Sequence, residues 1–144
     1  MIYETSPGKI VDISLQSTSG VQIEQVVDLK FDFTPLHAVS GQSYIKVQMP
    51  DQVAFSCVLK SNIGLKTAPS CEEVENNLLV FASPFEADSY DGNIPLSLEF
   101  RNRVLPGSNL MIKGIKIETY VTIENVDYLV DIFDNSEYEF FAPE

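Results

Sequence analysis

Residues 112–124, IKGIKIETYVTIE, decide the fold class, because they alternate between apolar and polar side chains over the longest stretch in the chain. One face of this stretch carries Ile115, Ile117, Thr119, Val121 and Ile123. A period of two is typical of a half-buried β-strand, whose successive side chains point to opposite faces. The stretch therefore predicts one long strand.

The same alternation recurs along nearly the whole chain, with proline and glycine between the segments. It is found in residues 9–17, 43–49, 52–60 and 96–100, and in residues 21–33 with an interruption at Gln25. Residues 77–83 predict a short buried strand, and a further segment, 126–133, follows Asn125. Helical spacing competes only in residues 71–79, through Val74 and Leu78, where we expect one helical turn. Eight to ten short strands without intervening helices predict an all-β protein, an antiparallel β-sandwich or barrel.

The composition and the net charge indicate a folded domain and limit its possible partners. The 144 residues are 44% hydrophobic and 21% charged, which predicts a single folded domain over residues 1–144. The net charge of -12 argues against nucleic acid and anionic membrane surfaces as partners, because phosphate groups are held by Lys and Arg. No apolar run has the length of a membrane helix, so we expect no membrane insertion. Acidity favours solubility and cations such as calcium.

Cys57 and Cys71 are the only cysteines. A zinc site needs about four ligands, and a redox pair needs CxxC spacing, so the chain with its lone His37 favours neither. Two interpretations stay open: a Cys57–Cys71 disulfide that pins an irregular crossover onto the sheet, and two unrelated buried thiols. We favour the disulfide, which predicts an extracellular or cell-surface, secreted protein.

Five stretches in order carry a resemblance to a known kind of module. They are VDLKFDFTPLHAVSGQSYIKVQMP (27–50), SC (56–57), PSC (69–71), PLSLEFRNRVLPGS (95–108) and IKIETY (115–120). This order resembles immunoglobulin-like β-sandwich modules in extracellular proteins of ciliates and other protists, over roughly residues 11–128. Residues 102–108 depart from the Asn-Pro turn of those modules. The resemblance implies an immunoglobulin-like sandwich and a structural part in surface coats or fibrils, some of which assemble by strand exchange.

The search for catalytic chemistry finds no constellation. His37 is the only imidazole and falls in a predicted loop, and no G-x-S-x-G nucleophile motif or phosphate-binding glycine loop occurs. With 21 acidic residues, carboxylate pairs arise by chance. We therefore expect no enzyme and no cofactor.

The best cation candidate is the segment EADSYDGN, residues 86–93. Glu86, Asp88, Asp91 and Asn93 offer the hard oxygen ligands that calcium prefers, and Gly92 allows a tight backbone. The same residues are also what an ordinary turn uses. Another acidic cluster is predicted to be a solvated face. It consists of Asp127, Asp131, Asp134, Glu137 and Glu139.

Both ends of the sequence carry apolar side chains. These are Val11, Ile13 and Leu15 near the start, and Tyr138, Phe140 and Phe141 near the finish. Each end is either an edge strand of its own sandwich or a segment, 1–16 or 136–144, that completes the sheet of a neighbouring subunit. Head-to-tail exchange would produce a filament of copies of this chain.

These observations predict a non-enzymatic extracellular structural subunit that assembles into a filament or surface coat, with β-strand donation as one route. The alternative is an extracellular adhesion module that binds carbohydrate or protein. For that alternative, Tyr44, Tyr90 and Tyr128 are the candidate aromatic residues on an exposed face.

Overall fold

The computed structural model describes residues 8–17, 26–48, 53–54, 59–67, 69–75, 78–104 and 111–141. Within these ranges the only helical element is a 3-10 turn, Glu86–Asp88, and all other regular elements are strands. The strands are β1 (Gly8–Ser17), β2 (Val26–Pro35), β3 (Val39–Ser40), β4 (Ser43–Gln48), β5 (Val53–Ala54), β6 (Leu59–Ile63), β7 (Glu72–Glu75), β8 (Leu78–Ala82), β9 (Ser89–Tyr90), β10 (Leu96–Val104), β11 (Met111–Ile123) and β12 (Val126–Phe141). No helix of a length and apolarity suited to crossing a bilayer occurs in the described ranges.

The strands form two layers. One layer has the order β7-β8-β4-β11-β12, and the other has β1-β2-β10 with β5 and β6 along the outer side of β10. The layers are joined where β1 runs parallel to β12, and every other described strand pair is antiparallel. A small separate ribbon of β3 and β9 lies beside them. The predicted all-β class is confirmed.

The core lies between the layers, and the alternation of the sequence determines which side chains enter it. β4, β8 and β11 contribute Ile45, Val47, Leu79, Phe81, Ile115 and Ile117, whereas β2 and β10 contribute Phe31, Phe33, Leu96, Leu98 and Phe100. The rings of Phe81 and Phe100, one from each layer, have centroids 6.3 Å apart. The predicted inward faces of β2, β4, β10 and β11 are confirmed for these residues, and β8 is a strand as predicted.

β1 departs from the predicted alternation. The register with β2 shifts between Val11 and Ser14, and Asp12 has a positive φ of 55°. Such a bulge reverses the side-chain phase. As a result Ile10 is buried, while Val11 and Ile13 are only half-buried. The prediction of one strictly alternating face through Val11 and Ile13 is therefore wrong.

Three further boundaries differ from the sequence prediction. The predicted helical turn in residues 71–79 is wrong, because β7 (Glu72–Glu75) is a strand with all four side chains exposed. β10 continues through Val104, beyond the predicted strand of residues 96–100. β12 runs without interruption to Phe141, so the two predicted C-terminal segments form one strand.

The hairpin between β11 and β12 has a tight turn in which Glu124 and Asn125 both have positive φ, 53° and 67°. Two successive residues in this conformation suit the right-handed twist of the flanking strands. A second irregularity follows, because Thr119 pairs with Asp131 whereas Tyr120 pairs with Leu129. The extra residue on β12 turns the side chain of Asp131 inward, and it is completely buried.

Candidate functional site

One end of the sandwich gathers most of the described loops. The strand registers place the ends of β2, β8 and β11 beside the starts of β4, β10 and β12. The loops that meet there are residues 35–42, 64–67, 83–95 and 122–127, and we call this end the loop pole. Main-chain hydrogen bonds between these loops run from Gly41 N to Asp88 O (2.9 Å), Asn93 N to Pro35 O (2.9 Å), Lys66 N to Pro84 O (2.9 Å) and Thr122 N to Gln42 O (2.8 Å). The loops therefore brace one another.

Gly92 fits tightly under the loop that carries His37. Its φ is +85°, and a Cβ atom there would lie 2.7 Å from Ala38 N and 2.9 Å from Leu36 O. Only glycine combines this left-handed backbone with so close an approach. The segment that was predicted as a calcium loop thus packs against the loop of the lone histidine.

Tyr90 ties the same loops together from inside. Its hydroxyl donates to Pro35 O (2.8 Å) or to Ile94 O (2.7 Å), and Ile94 N donates to it (3.0 Å). Its ring stacks on Phe85 with a centroid distance of 4.8 Å, and burial raises the pKa of the phenol. Tyr90 is 5% exposed, so its predicted place on an exposed aromatic face is wrong.

His37 and Asp131 form the most polar contact of the loop pole. His37 Nδ1 lies 2.7 Å from Asp131 Oδ1, and the His37 main-chain N donates to Asp131 Oδ2 over 2.8 Å. Because a carboxylate only accepts, the imidazole donates to it through Nδ1–H. Asp131 N donates in turn to Thr119 Oγ1 (3.1 Å). The prediction that Asp131 belongs to a solvated acidic face is wrong.

Gly8 completes this contact, because a Cβ atom at Gly8 would overlap Asp131 Oδ1 and the His37 ring. The imidazole keeps 61% of its side chain exposed. Nucleophilic catalysis needs a nucleophile within hydrogen-bond reach of the imidazole. Among the described residues, His37 has no hydrogen bond to any side chain other than Asp131. The two hydrogen bonds to Asp131, together with that from Leu36 N to Lys9 O (3.1 Å), form a clamp that holds the His37 loop on β12 and β1.

The outer surface of the loop pole carries apolar side chains. Leu36 is 36% exposed, Ile94 is 43% exposed, and the β11–β12 turn presents Ile123 at 36% and Val126 at 49%. Four of the six large hydrophobic side chains that are exposed in the described ranges lie at this end. An apolar surface on braced loops is a feature of protein-binding sites.

The predicted calcium ligands lie at the loop pole but do not converge. Glu86, Asp88, Asp91 and Asn93 are all exposed, and the Asn93 main chain bonds to Pro35. No group of three or more His, Cys, Asp or Glu side chains arranged for a metal ion occurs in the part of the chain that the structure describes. Calcium binding stays a prediction.

Of the two cysteines in the predicted disulfide, the structure describes only Cys71. Cys71 is half-buried and packs against the hydrophobic core. Cys57 lies outside the described residues, together with the rest of 55–58. The Cys57–Cys71 bridge stays a prediction.

The described parts of both predicted assembly segments lie inside the subunit's own sheets. Val11, Ile13 and Leu15 belong to β1, which pairs with β2 on one side and β12 on the other. Tyr138, Phe140 and Phe141 belong to β12, which pairs with β11 as far as Phe141. β1 and β12 pair with each other only at Gly8 and Lys9, so along most of its length each strand is paired on one side alone. The described parts of 1–16 and 136–144 would have to leave that partner before being donated.

The outward face of the β4–β11 pair carries two aromatic neighbours that the sequence analysis did not join. Tyr44 pairs directly with Tyr120, and Lys46 Nζ lies 4.8 Å from the centre of the Tyr120 ring. Tyr120 Oη donates to Glu118 Oε2 (2.9 Å), and burial, followed by this contact, raises the pKa of Tyr120 to about 12. The period-two spacing of β4 and of β11 predicts that Tyr44 and Tyr120 each lie on the outward face. The sequence does not show that the two strands pair in a register that places these residues opposite each other. Tyr128, by contrast, is half-buried against the core.

Comparison with known proteins identifies the fold. No protein-family model matches the sequence, and no curated protein matches it. Among solved structures, domains D2 and D3 of the major pilin SpaD from Corynebacterium diphtheriae are similar to 90% of the chain, with 10% identity and a TM-score of 0.59; the chain spans 52% of that structure. The cohesin module of a family 33 glycoside hydrolase from Clostridium perfringens matches with 9% identity and a TM-score of 0.54, covering 97% of this chain and 99% of the module.

The bacterial hydrophobin BslA is also similar, with 12% identity and a TM-score of 0.50, over 93% of this chain and 98% of that protein. At such identities the likeness concerns the fold alone. The chain has an immunoglobulin-like β-sandwich fold, as predicted. The resemblance to modules of protists stays a prediction.

Proposed function

We propose that this chain is a non-enzymatic structural module of the cell surface or extracellular space, which assembles with copies of itself into a filament or coat through the loop pole. The observation that carries the proposal is the set of exposed apolar residues on braced loops, Leu36, Ile94, Ile123 and Val126. Burial of such side chains stabilises an interface, and loops that are already ordered lose little entropy on binding.

The domains of the major pilin SpaD, which have the same fold, lend support to a structural role. The net charge of -12 makes copies of the chain repel one another at low salt. Added salt screens this repulsion, so self-association becomes more favourable. Assembly through the loop pole also leaves β1 and β12 in their own sheets, so strand donation is not required by this proposal.

A double variant tests the loop pole. Leu36→Asp with Ile94→Asp places two charges in the proposed contact, and we expect the concentration needed for assembly to rise about a hundredfold. Light scattering across protein concentration at about 150 mM salt measures this, and negative-stain microscopy identifies filaments or sheets. The matched control is Val74→Asp with Asn135→Asp, which changes the net charge equally at exposed residues away from the loop pole.

The control variant should assemble like the unmodified chain. If the unmodified chain is monomeric at every concentration and salt, self-assembly is wrong. If both double variants weaken assembly equally, the effect comes from net charge, and the loop pole is not the contact.

The adhesion alternative is favoured by one observation, the Tyr44–Tyr120 pair on the outward face of the β4–β11 strands. Two adjacent phenol rings flanked by Lys46 and Glu118 offer apolar faces beside hydrogen-bonding groups. This is the combination that a sugar ring with one apolar face and several hydroxyl groups requires.

A glycan array separates the two candidate functions. If the aromatic pair binds sugars, Tyr44→Ala should weaken binding of the best array ligand about tenfold, because half of the contact surface is lost. Lys116→Ala, on the same face of β11, is the control and should leave binding within about twofold. A chain that binds no glycan on the array would contradict this alternative without touching the assembly proposal.

A further inference from the structure

A groove opens on the flank of the sandwich where β1 and β12 part. Their parallel pairing covers Gly8 with Asp131 and Lys9 with Ile132 and ends there. Beyond this point β1 follows β2 into one layer, and β12 follows β11 into the other. The space between the two strands has a volume of about 490 Å³. A volume of roughly 300–1,000 Å³ is usual for a binding site.

The walls of the groove have a definite chemical order along its length. The apolar lining consists of Ile10, Val11, Ile13, Ile132 and Phe133. Lys9 lines the closed end, where the strands still pair. Asp12 and Asp134 line the open end, and both are exposed. The groove is thus apolar in the middle, cationic at one end and anionic at the other.

We propose that this groove binds an extended apolar segment of another protein that carries Lys or Arg where it passes the open end. The groove follows the strand direction, and the wall from Lys9 to Asp12 spans about 10 Å, the length of three extended residues. Side chains of such a segment on one face would contact Val11 and Ile132. Its cation would lie beside Asp12 and Asp134, which selects a basic partner by charge complementarity.

The inference does not rest on assembly through the loop pole, because the groove lies on the flank and opens away from that end. This inference gives β1 and β12 a role different from the strand donation predicted from the sequence. Instead of leaving the subunit as donors, they form the two walls that accept a segment from elsewhere.

The experiment compares two fluorescein-labelled peptides, acetyl-VTVTVKK and acetyl-VTVTVEE, by fluorescence anisotropy with the intact chain. We expect the lysine peptide to bind about tenfold more tightly than the glutamate peptide, since two exposed ion pairs form in place of two repulsions. The variant Asp12→Lys with Asp134→Lys should reverse this preference. The control is Glu124→Lys with Asp127→Lys, which changes net charge equally at exposed residues of the β11–β12 turn and should keep the preference for lysine.

Ile132→Ser tests the apolar part and should weaken both peptides about fivefold, with circular dichroism verifying the fold. The proposal is overturned if neither peptide binds, or if both charge-reversed variants change the preference equally. It is also overturned if raising the chain concentration releases the bound lysine peptide, because the occupant of the groove would then be a second copy.

Discussion

Replacing Asp131 by alanine is expected to lower the free energy of unfolding by about 3 kcal/mol. The buried carboxylate accepts the His37 main-chain N–H over 2.8 Å and the imidazole over 2.7 Å. Its loss leaves both donors without their partner and leaves a space beneath the His37 loop. Urea unfolding followed by far-UV circular dichroism measures the change, as a shift of the midpoint at constant slope.

Two companion variants show where the stability comes from. His37→Ala removes only the ring contact of a side chain that is 61% exposed, so we expect a loss of about 1 kcal/mol. Asp131→Asn keeps the size and one acceptor and should fall between the two. Equal losses for Asp131→Ala and His37→Ala would show that the main-chain hydrogen bond contributes nothing, contrary to the clamp described above.

Replacing Gly92 by alanine should destabilise the chain by a comparable amount, about 3 kcal/mol. The added Cβ would meet main-chain atoms, Ala38 N at 2.7 Å, His37 C at 2.9 Å and Leu36 O at 2.9 Å. Main-chain atoms cannot rotate away as a flexible side chain can, so the loop itself must move. Thermal unfolding should show a loss of roughly 6–12 °C, given about 2–4 °C per kcal/mol for a chain of this size.

Gly41→Ala is the matched control for Gly92→Ala. Gly41 also has a positive φ, +98°, but a Cβ atom there would meet nothing within 4 Å. Its loss should therefore be the backbone cost alone, about 1 kcal/mol. Equal losses for the two alanine variants would show that the main chain at Gly92 does not pack closely against residues 36–38, contrary to the structure.

The strands that pack on both sides of the core were predictable because their apolar residues recur at every second position. Ile45 and Val47 in β4 and Leu96 and Leu98 in β10 are buried as that period requires. Only local spacing is needed for such a prediction, since the hydrophobic effect selects one face of a strand wherever the strand pairs.

The candidate site was much less predictable, because it depends on irregularities. An extra residue in β12 turns Asp131 inward, against the phase set by Tyr128 and Val130. A strictly alternating strand would have exposed that carboxylate, and no residue type in the segment marks the bulge. The pairing of Tyr44 with Tyr120 depends on register between distant strands, which local patterns do not contain.

The parallel contact between β1 and β12 has a consequence for biosynthesis. A ribosome delivers β1 before the ten strands β2 to β11 and β12 after them, so the meeting point of β1 and β12, and the clamp beside it, form only once all of these strands have emerged. Contacts that close so long a loop are slow to form. Until then β1 lacks its contact with β12. The negative charge of the nascent chain reduces its aggregation with other nascent chains during that interval.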